Sequence, residues 1–329
     1  MKIYKLHTPD GTYDVMPGEL KQKREAERCI MNTFEEAGYL EIETPSFEYV
    51  DVFKASSESI SEENMFKFFD KDGKTLALRP DITTSAARLA TTKFSDTDLP
   101  LRLSYIGHAF RNNDTVYGVQ IKEFTQAGIE LYGDPSPAAD AEIISATIKA
   151  LLATGLSDFQ IEIGHAGLFK GLMNYAGIDD ANAEKLREFI DIKDSFSLTE
   201  LLASIDIPAD AKNLISELPY MFGDIDILDK YTFPEGEAQS AISSLKIICD
   251  TLCREGYEKY ISVDLGMVKR LDYYTGTIFN GFTRHMGYSV CGGGRYDNLC
   301  AEFGKPYPAT GVAIGIDRLL TALYRRERK

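Results

Sequence analysis

Strand patterns occupy the two ends of this 329-residue chain and almost none falls in its middle, and that layout constrains the fold most. Residues 1–168 and 259–329 carry short runs of alternating apolar and polar residues. Residues 169–258 carry helical periodicity, broken by Pro208, Pro219 and Pro234. In the first part, a helix is expected over 17–37. Pro17 opens it, Gly38 closes it, and Leu20, Ala26, Cys29, Ile30, Phe34 and Ala37 recur at threes and fours. A strand from Tyr39 to Pro45 follows, then a short one from Lys74 to Leu78. Arg102–Phe110 and Glu123–Tyr132 flank the polar turn Asn112–Thr115 and read as a hairpin. A helix over 138–153 and a half-buried strand over Phe159–Ile163 complete that part. Strand signal returns at Ile261–Leu265, Thr277–Thr283 and Ser289–Val290, and Thr310–Arg326 begins as a small-residue strand and turns helical. The reading is an α+β body on a mostly antiparallel sheet, interrupted by a helical insertion.

Composition excludes several classes of function. There are 36 basic and 51 acidic residues, a net charge of −15, and no basic cluster large enough to neutralise a phosphate backbone, so no nucleic-acid partner is expected. The run Arg325–Lys329 reads as a solvated helix end. No stretch approaches the length of a transmembrane helix and the N-terminus lacks the apolar core of a signal peptide, so a cytoplasmic protein with no membrane partner is expected. Five cysteines read as reduced thiols; Cys249 and Cys253 lie four apart, on one face of a helix. None of the four histidines sits at ligand spacing with another, and no metal is expected.

Three constellations could carry chemistry. Cys291-Gly292-Gly293-Gly294-Arg295-Tyr296-Asp297 lets backbone approach a ligand closely but matches neither a P-loop nor a dinucleotide fingerprint; a tight sheet turn and a binding loop both fit it. Tyr273 and Tyr274, taken as strand residues, face opposite sides, so one of them would point into a pocket. Gln126, Gly128 and Glu130 share a strand face, a glutamine and a glutamate over a glycine floor that leaves room for a ligand. Arg79-Pro80-Asp81 by itself would be a salt-bridged turn.

In this order the segments resemble the catalytic core of class II aminoacyl-tRNA synthetases, and histidyl-tRNA synthetase in particular. The helix to Gly38 and the strand to Pro45 are similar to the first class motif. Phe110-Arg111 through Glu130 is similar to the second, and Gly311–Leu319 to the third. Leu271-Asp272-Tyr273-Tyr274 and Gly293–Asp297 resemble histidine-specific signatures. The resemblance implies a six- to seven-stranded antiparallel sheet flanked by helices, and a homodimer.

Where the chain departs from the synthetase pattern, it resembles another family. It ends eleven residues after Arg318, where the synthetase continues into an anticodon-binding domain. The motif-two loop, Asn112 to Ile121, has no arginine. Lys269-Arg270 stands where the synthetase has arginine then glycine, and a lysine lacks the planar fork for bidentate carboxylate contact. Arg79-Pro80-Asp81 replaces Arg-Pro-Glu. These departures, with Gly164-His165-Ala166-Gly167-Leu168-Phe169, resemble the regulatory subunit of ATP phosphoribosyltransferase. That resemblance implies a chain with no catalysis or cofactor of its own, a homodimer within a hetero-oligomer. It would be needed by the short-form catalytic subunit and for feedback inhibition by L-histidine. A histidine pocket is implied in which Asp81 and Thr83 hold the ammonium and Gln126 bridges ammonium and carboxylate. Arg111, helped by Lys269, balances the carboxylate, and Glu130 and Tyr274 hold the imidazole, with Tyr273 beside them. Whether histidine sits there or at a subunit interface is left open. The alternative is a truncated ligase that activates histidine with ATP, since Arg111 and Arg318 resemble the class's ATP anchors.

Overall fold

The computed structural model describes residues 4–54, 61–112, 115–116, 119–268, 273–284 and 286–327. The strands are β1 (Leu40–Glu41), β2 (Phe47–Tyr49), β3 (Lys67–Phe69), β4 (Thr75–Leu78), β5 (Leu101–Phe110), β6 (Thr115–Val116), β7 (Val119–Gln120), β8 (Glu123–Tyr132), β9 (Gln160–His165), β10 (Phe222–Gly223), β11 (Ile261–Asp264), β12 (Thr277–Phe282), β13 (Cys291–Arg295) and β14 (Ala309–Gly315). The helices are α1 (Pro17–Glu36), α2 (Val50–Lys54), α3 (Thr83–Lys93), α4 (Pro137–Ala153), α5 (Ala166–Ala176), α6 (Asp180–Asp191), α7 (Ser195–Ser204), α8 (Ala209–Glu217), α9 (Glu237–Arg254) and α10 (Ile316–Glu327). Among the described residues no helix is long and apolar enough to cross a membrane.

One sheet organises the molecule, in the order β1-β5-β8-β14-β13-β12-β9-β11-β10. Its nine strands exceed the six or seven expected. It is antiparallel except that β1 pairs parallel with β5 and β11 parallel with β9. The surplus comes from short edge pieces, β1 and β10; the first lies within the expected strand Tyr39–Pro45, and the second is too short for sequence periodicity to reveal. The strand expected to run to Pro45 is only two residues long.

Register assigns the two faces. Ser104, Ile129, Val312, Gly293, Phe279, Ile163 and Val263 lie in one row across seven strands. Most of that row is apolar and buried, with α4 against β8 and β14 and α9 against β9. The next row is Tyr105, Gly128, Ala313, Gly292, Asn280, Glu162 and Ser262, and it faces the other way. The polar face is therefore the one left for a ligand.

The glycine run is a strand near the centre of the sheet, neither of the two forms expected for it. Its neighbours explain the composition. A Cβ on Gly292 would lie 2.9 Å from Asn280 Oδ1, one on Gly293 2.7 Å from the Phe279 ring, and one on Gly294 2.9 Å from the Tyr274 ring. The glycines admit side chains from β12 and from the loop before it.

Helix α1 spans the predicted residues, but its buried stripe differs from the apolar one. Leu20 and Ala37 are exposed, whereas Lys23 and Glu27 are buried with Ala26, Ile30 and Phe34. Lys23 Nζ lies 3.0 Å from Asp317 Oδ1 at the start of α10. Asp317 also accepts the Thr125 N–H at 2.7 Å and the Tyr13 hydroxyl at 3.2 Å. A charged residue replaces an apolar one on the inner face because its partner is supplied by tertiary structure. The middle of the chain is helical from α5 to α9, and α9 packs on α4, α5 and β9. Leu186, Leu198 and Ile215 belong to the same apolar cluster as Ile161 and Ile129.

Candidate functional site

The hairpin β5–β8 supplies the floor of the site. On β8, Gln126, Gly128 and Glu130 do share a face, but the space over Gly128 is taken. Gly128 pairs with Tyr105, and a Cβ on it would run into the Tyr105 phenol. The glycine that was expected to leave room for a ligand leaves room for a tyrosine. Gly311 plays the corresponding part for Glu130, whose carboxylate occupies the volume a Cβ there would fill.

Glu130 is buried and held by hydroxyls. Tyr105 donates to Oε1 at 2.9 Å, and Tyr296 donates to Oε2. Thr83 Oγ1 lies 3.2 Å from the Tyr105 hydroxyl and extends the chain of bonds to α3. Burial pushes the Glu130 carboxyl up to about 8, against the hydrogen bonds from Tyr296, Thr83 and Tyr105 that favour its anion. Among the described residues no ammonium or guanidinium lies within ion-pair distance of it.

A cavity of about 460 Å³ opens above this floor. Asp81, Thr83, Arg111, Gln126, Glu130, Tyr273 and Tyr274 all line it. Lys269 lies outside the described residues, as do Arg270, Leu271 and Asp272. Asp81 Oδ1 accepts the Thr84 N–H at 2.8 Å and so caps α3, which fixes the carboxylate at the rim. Arg111 donates from Nε to the Pro80 carbonyl at 2.9 Å, and its guanidinium lies 5.3 Å from the Phe124 ring centroid. An acid and a base thus stand at the cavity wall on different elements.

The tyrosine pair corrects an expectation. Tyr273 and Tyr274 lie in the loop before β12, not on a strand, so the alternation rule does not apply and both reach the cavity. Their rings meet edge to face at 5.0 Å, and Tyr273 stacks on Tyr296 at 5.5 Å. Arg79 is likewise no salt-bridged turn. It is buried and donates to the carbonyls of His108 at 2.6 Å and Thr44 at 2.7 Å, tying the Arg-Pro-Asp turn to β5.

Sequence reasoning missed Tyr296 and Asn280 as wall residues, and Tyr105 as the buried partner of Glu130. Tyr105 had no usable signal, since a hairpin register centred on the Asn112–Thr115 turn would set Leu99, not Tyr105, opposite Gly128. Tyr296 had none, because it meets Glu130 across strands far apart in sequence. Arg295, in the same run, does not line the cavity. Its guanidinium pairs with Asp140 at 2.8 Å and donates to the carbonyls of Asp134 and Ser136, each at 3.0 Å. Burial lowers its pKa, yet the charges of Asp140 and Asp297 and its hydrogen bonds to them together outweigh this and raise it. His165 is also structural: its Nδ1 accepts the Gly167 N–H at 3.0 Å and caps α5, and burial lowers its pKa to about 4. Arg318, from α10, donates to the Ser289 carbonyl at 3.2 Å and lies 5.2 Å from the Tyr288 ring centroid. It lines this cavity and a neighbouring one of about 440 Å³ against α1.

The comparisons with known proteins agree on the family. The histidyl-tRNA synthetase family model matches residues 11–319. The chain is 46% identical over 329 residues to the ATP phosphoribosyltransferase regulatory subunit of Acetivibrio thermocellus, covering 99% of this chain and 78% of that one. It is 42% identical over 325 residues to the protein of the same name from Ruminiclostridium cellulolyticum, covering 98% and 77%. The structure superposes with a TM-score of 0.90 and 33% identity on a Bacillus halodurans protein described as an ATP phosphoribosyltransferase regulatory subunit/histidyl-tRNA synthetase, over 98% of this chain and 84% of that one. With full-length identity at this level, and with the class II sheet and its ordered motifs in place, the chain belongs to the ATP phosphoribosyltransferase regulatory subunit family, built on the histidyl-tRNA synthetase core.

Proposed function

We propose that this chain serves histidine biosynthesis as a regulatory subunit, required by the short-form catalytic subunit of ATP phosphoribosyltransferase and conveying feedback inhibition by L-histidine. One observation carries the ligand assignment: Glu130, a buried carboxyl with no cation at ion-pair distance among the described residues, lies at the floor of a cavity with an acid and a base in its wall. The volume falls within the roughly 300–1,000 Å³ of small-molecule sites. A free histidine brings complementary groups. Its imidazole reaches Glu130 and Tyr274, its ammonium Asp81 and Thr83, with Gln126 bridging to the carboxylate, which Arg111 and Lys269 balance. A buried site built on such hydrogen bonds rejects analogues that lack them. Feedback requires that histidine bind two states of the hetero-complex unequally.

In this reading the chain itself performs no adenylation and needs no cofactor; its net charge of −15 disfavours nucleic acid. A homodimer is supported by the outer face of the β2-β4-β3 sheet, where Phe47, Tyr49 and Phe68 stand exposed and Phe47 meets Phe68 edge to face at 5.6 Å. The test is reconstitution. Phosphoribosyl transfer by the short catalytic chain is measured with and without this chain, and with histidine added. Activation plus histidine inhibition is expected; a catalytic chain indifferent to this one sinks the proposal. Histidine-dependent ATP–pyrophosphate exchange by the chain alone should be absent, and clear exchange would restore the ligase alternative.

A further inference from the structure

Far from the cavity, the opposite edge of the sheet carries a second exposed surface. Ile192, Phe196, Tyr220 and Phe222 are 68%, 72%, 55% and 59% exposed. They form one patch. Ser195 Oγ is hydrogen-bonded to the Tyr220 hydroxyl, and Lys193 Nζ lies 5.0 Å from the Phe222 ring centroid. Phe222 begins β10, the last strand of the nine, which pairs with β11 alone. An apolar patch beside an open strand edge is a place where another chain can add.

Its rim has one sign. The segments 191–200 and 217–226 hold six acids, Asp191, Asp194, Glu200, Glu217, Asp224 and Asp226, and one base, Lys193. Glu200, Glu217, Asp224 and Asp226 are exposed. The lysine is committed to the Phe222 ring, and its φ of 56° is left-handed, where a glycine would be the unstrained residue. A second copy of this chain is a poor occupant. A two-fold contact would set the acidic rim on itself, and like charges face to face oppose association.

We infer that this edge of the helical insertion docks a different protein, one presenting apolar side chains ringed by lysine and arginine, and that in the hetero-complex this is the catalytic subunit. The inference rests on the regulatory-subunit reading. Apolar burial in the centre supplies affinity, and the acidic rim supplies orientation and association rate.

The full-length chain and the catalytic chain are mixed, and binding is followed by calorimetry and by sedimentation. Phe196→Glu should weaken association at least tenfold while leaving the melting temperature and histidine binding unchanged. The double variant Asp224→Lys/Asp226→Lys, which spares the strand edge, should slow association severalfold and flatten its dependence on salt. Wild-type association with equal affinity for both variants overturns the docking site and leaves the regulatory reading standing. Failure of the wild-type pair to associate removes the regulatory reading, and this inference falls with it. If Phe196→Glu instead dissociates a homodimer, the occupant is a second copy and the inference is wrong.

Discussion

Two buried carboxylates against the same sheet have opposite surroundings. Asp140, at the start of α4, and Glu130, on β8, are 3% and 1% exposed. Asp140 accepts from Thr277 at 2.8 Å and is paired with Arg295, whose remaining donors go to backbone carbonyls and Asp297. Its charge is answered inside the fold. Among the described residues Glu130 is answered by hydroxyls, and it faces a cavity. A buried carboxylate with a buried cation is scaffold; a buried carboxyl with hydroxyls and an open side is poised for a ligand that shares or accepts its proton. The pair therefore separates residues that hold the sheet together from residues that would read histidine.

The sharpest way to break this contrast is to remove one partner of the scaffold pair. Arg295→Met leaves Asp140 without its cation and should cost about 3–5 kcal/mol in urea unfolding, with part recovered in Arg295→Met/Asp140→Leu. A small loss from the single variant would mean the two carboxylates are alike. Glu130→Gln should leave stability equal or higher yet weaken histidine binding by roughly 1–3 kcal/mol in calorimetry. Unchanged affinity would remove Glu130 from the site.

Acidity sharpens the comparison next. In the empty site Glu130 is protonated below about 8. A free imidazole is protonated below about 6.5. The bound pair holds one proton between them. Below about 6.5 both free partners carry one, so binding releases a proton and affinity falls as pH drops. Above about 8 neither does, so binding takes up a proton and affinity falls as pH rises. Histidine affinity should be flat between these limits, and Glu130→Gln should abolish the alkaline limb; an alkaline limb persisting in that variant would assign it to another group. The unliganded protein also carries the cost of ionising Glu130, so its stability should decline as pH rises from near 4.5 towards 8, and the slope should be lost in the same variant. The smallest effect is expected from Tyr296→Phe. Losing one hydroxyl bond is worth about 0.5–1.5 kcal/mol of stability, and it removes a contact favouring the Glu130 anion. The alkaline limb should move to higher pH; no movement would show that the hydroxyl does not tune the carboxylate.

Much of the site could be read along the chain because its residues come from local patterns. Gln126 and Glu130 are two strides apart on one strand, Asp81 and Thr83 straddle the start of a helix, and Arg111 directly follows the other strand of the same hairpin. Asp81, Thr83, Arg111, Gln126, Glu130, Tyr273 and Tyr274 meet in one cavity. The errors arose where space decided. Gly128 was assigned to a ligand and serves Tyr105; the glycine run was read as a turn or loop and is a central strand; the tyrosines were placed on a strand and sit before one. None of these depends on periodicity. The two glycine cases depend on which bulky group arrives from a neighbouring strand or loop.

By itself the sequence determined the class of the molecule. Alternation marked the long strands, capping and periodicity marked the helices, and the order of motifs identified the family, because all of these are written in neighbouring residues. Tertiary structure alone decided which charges are silent. Lys23 is buried because Asp317 meets it, Arg295 is consumed by Asp140, and Glu130 is met, among the described residues, by tyrosine hydroxyls that a threonine extends. These two ion pairs join residues 294 and 155 positions apart, and their burial exists only once the fold has brought them together.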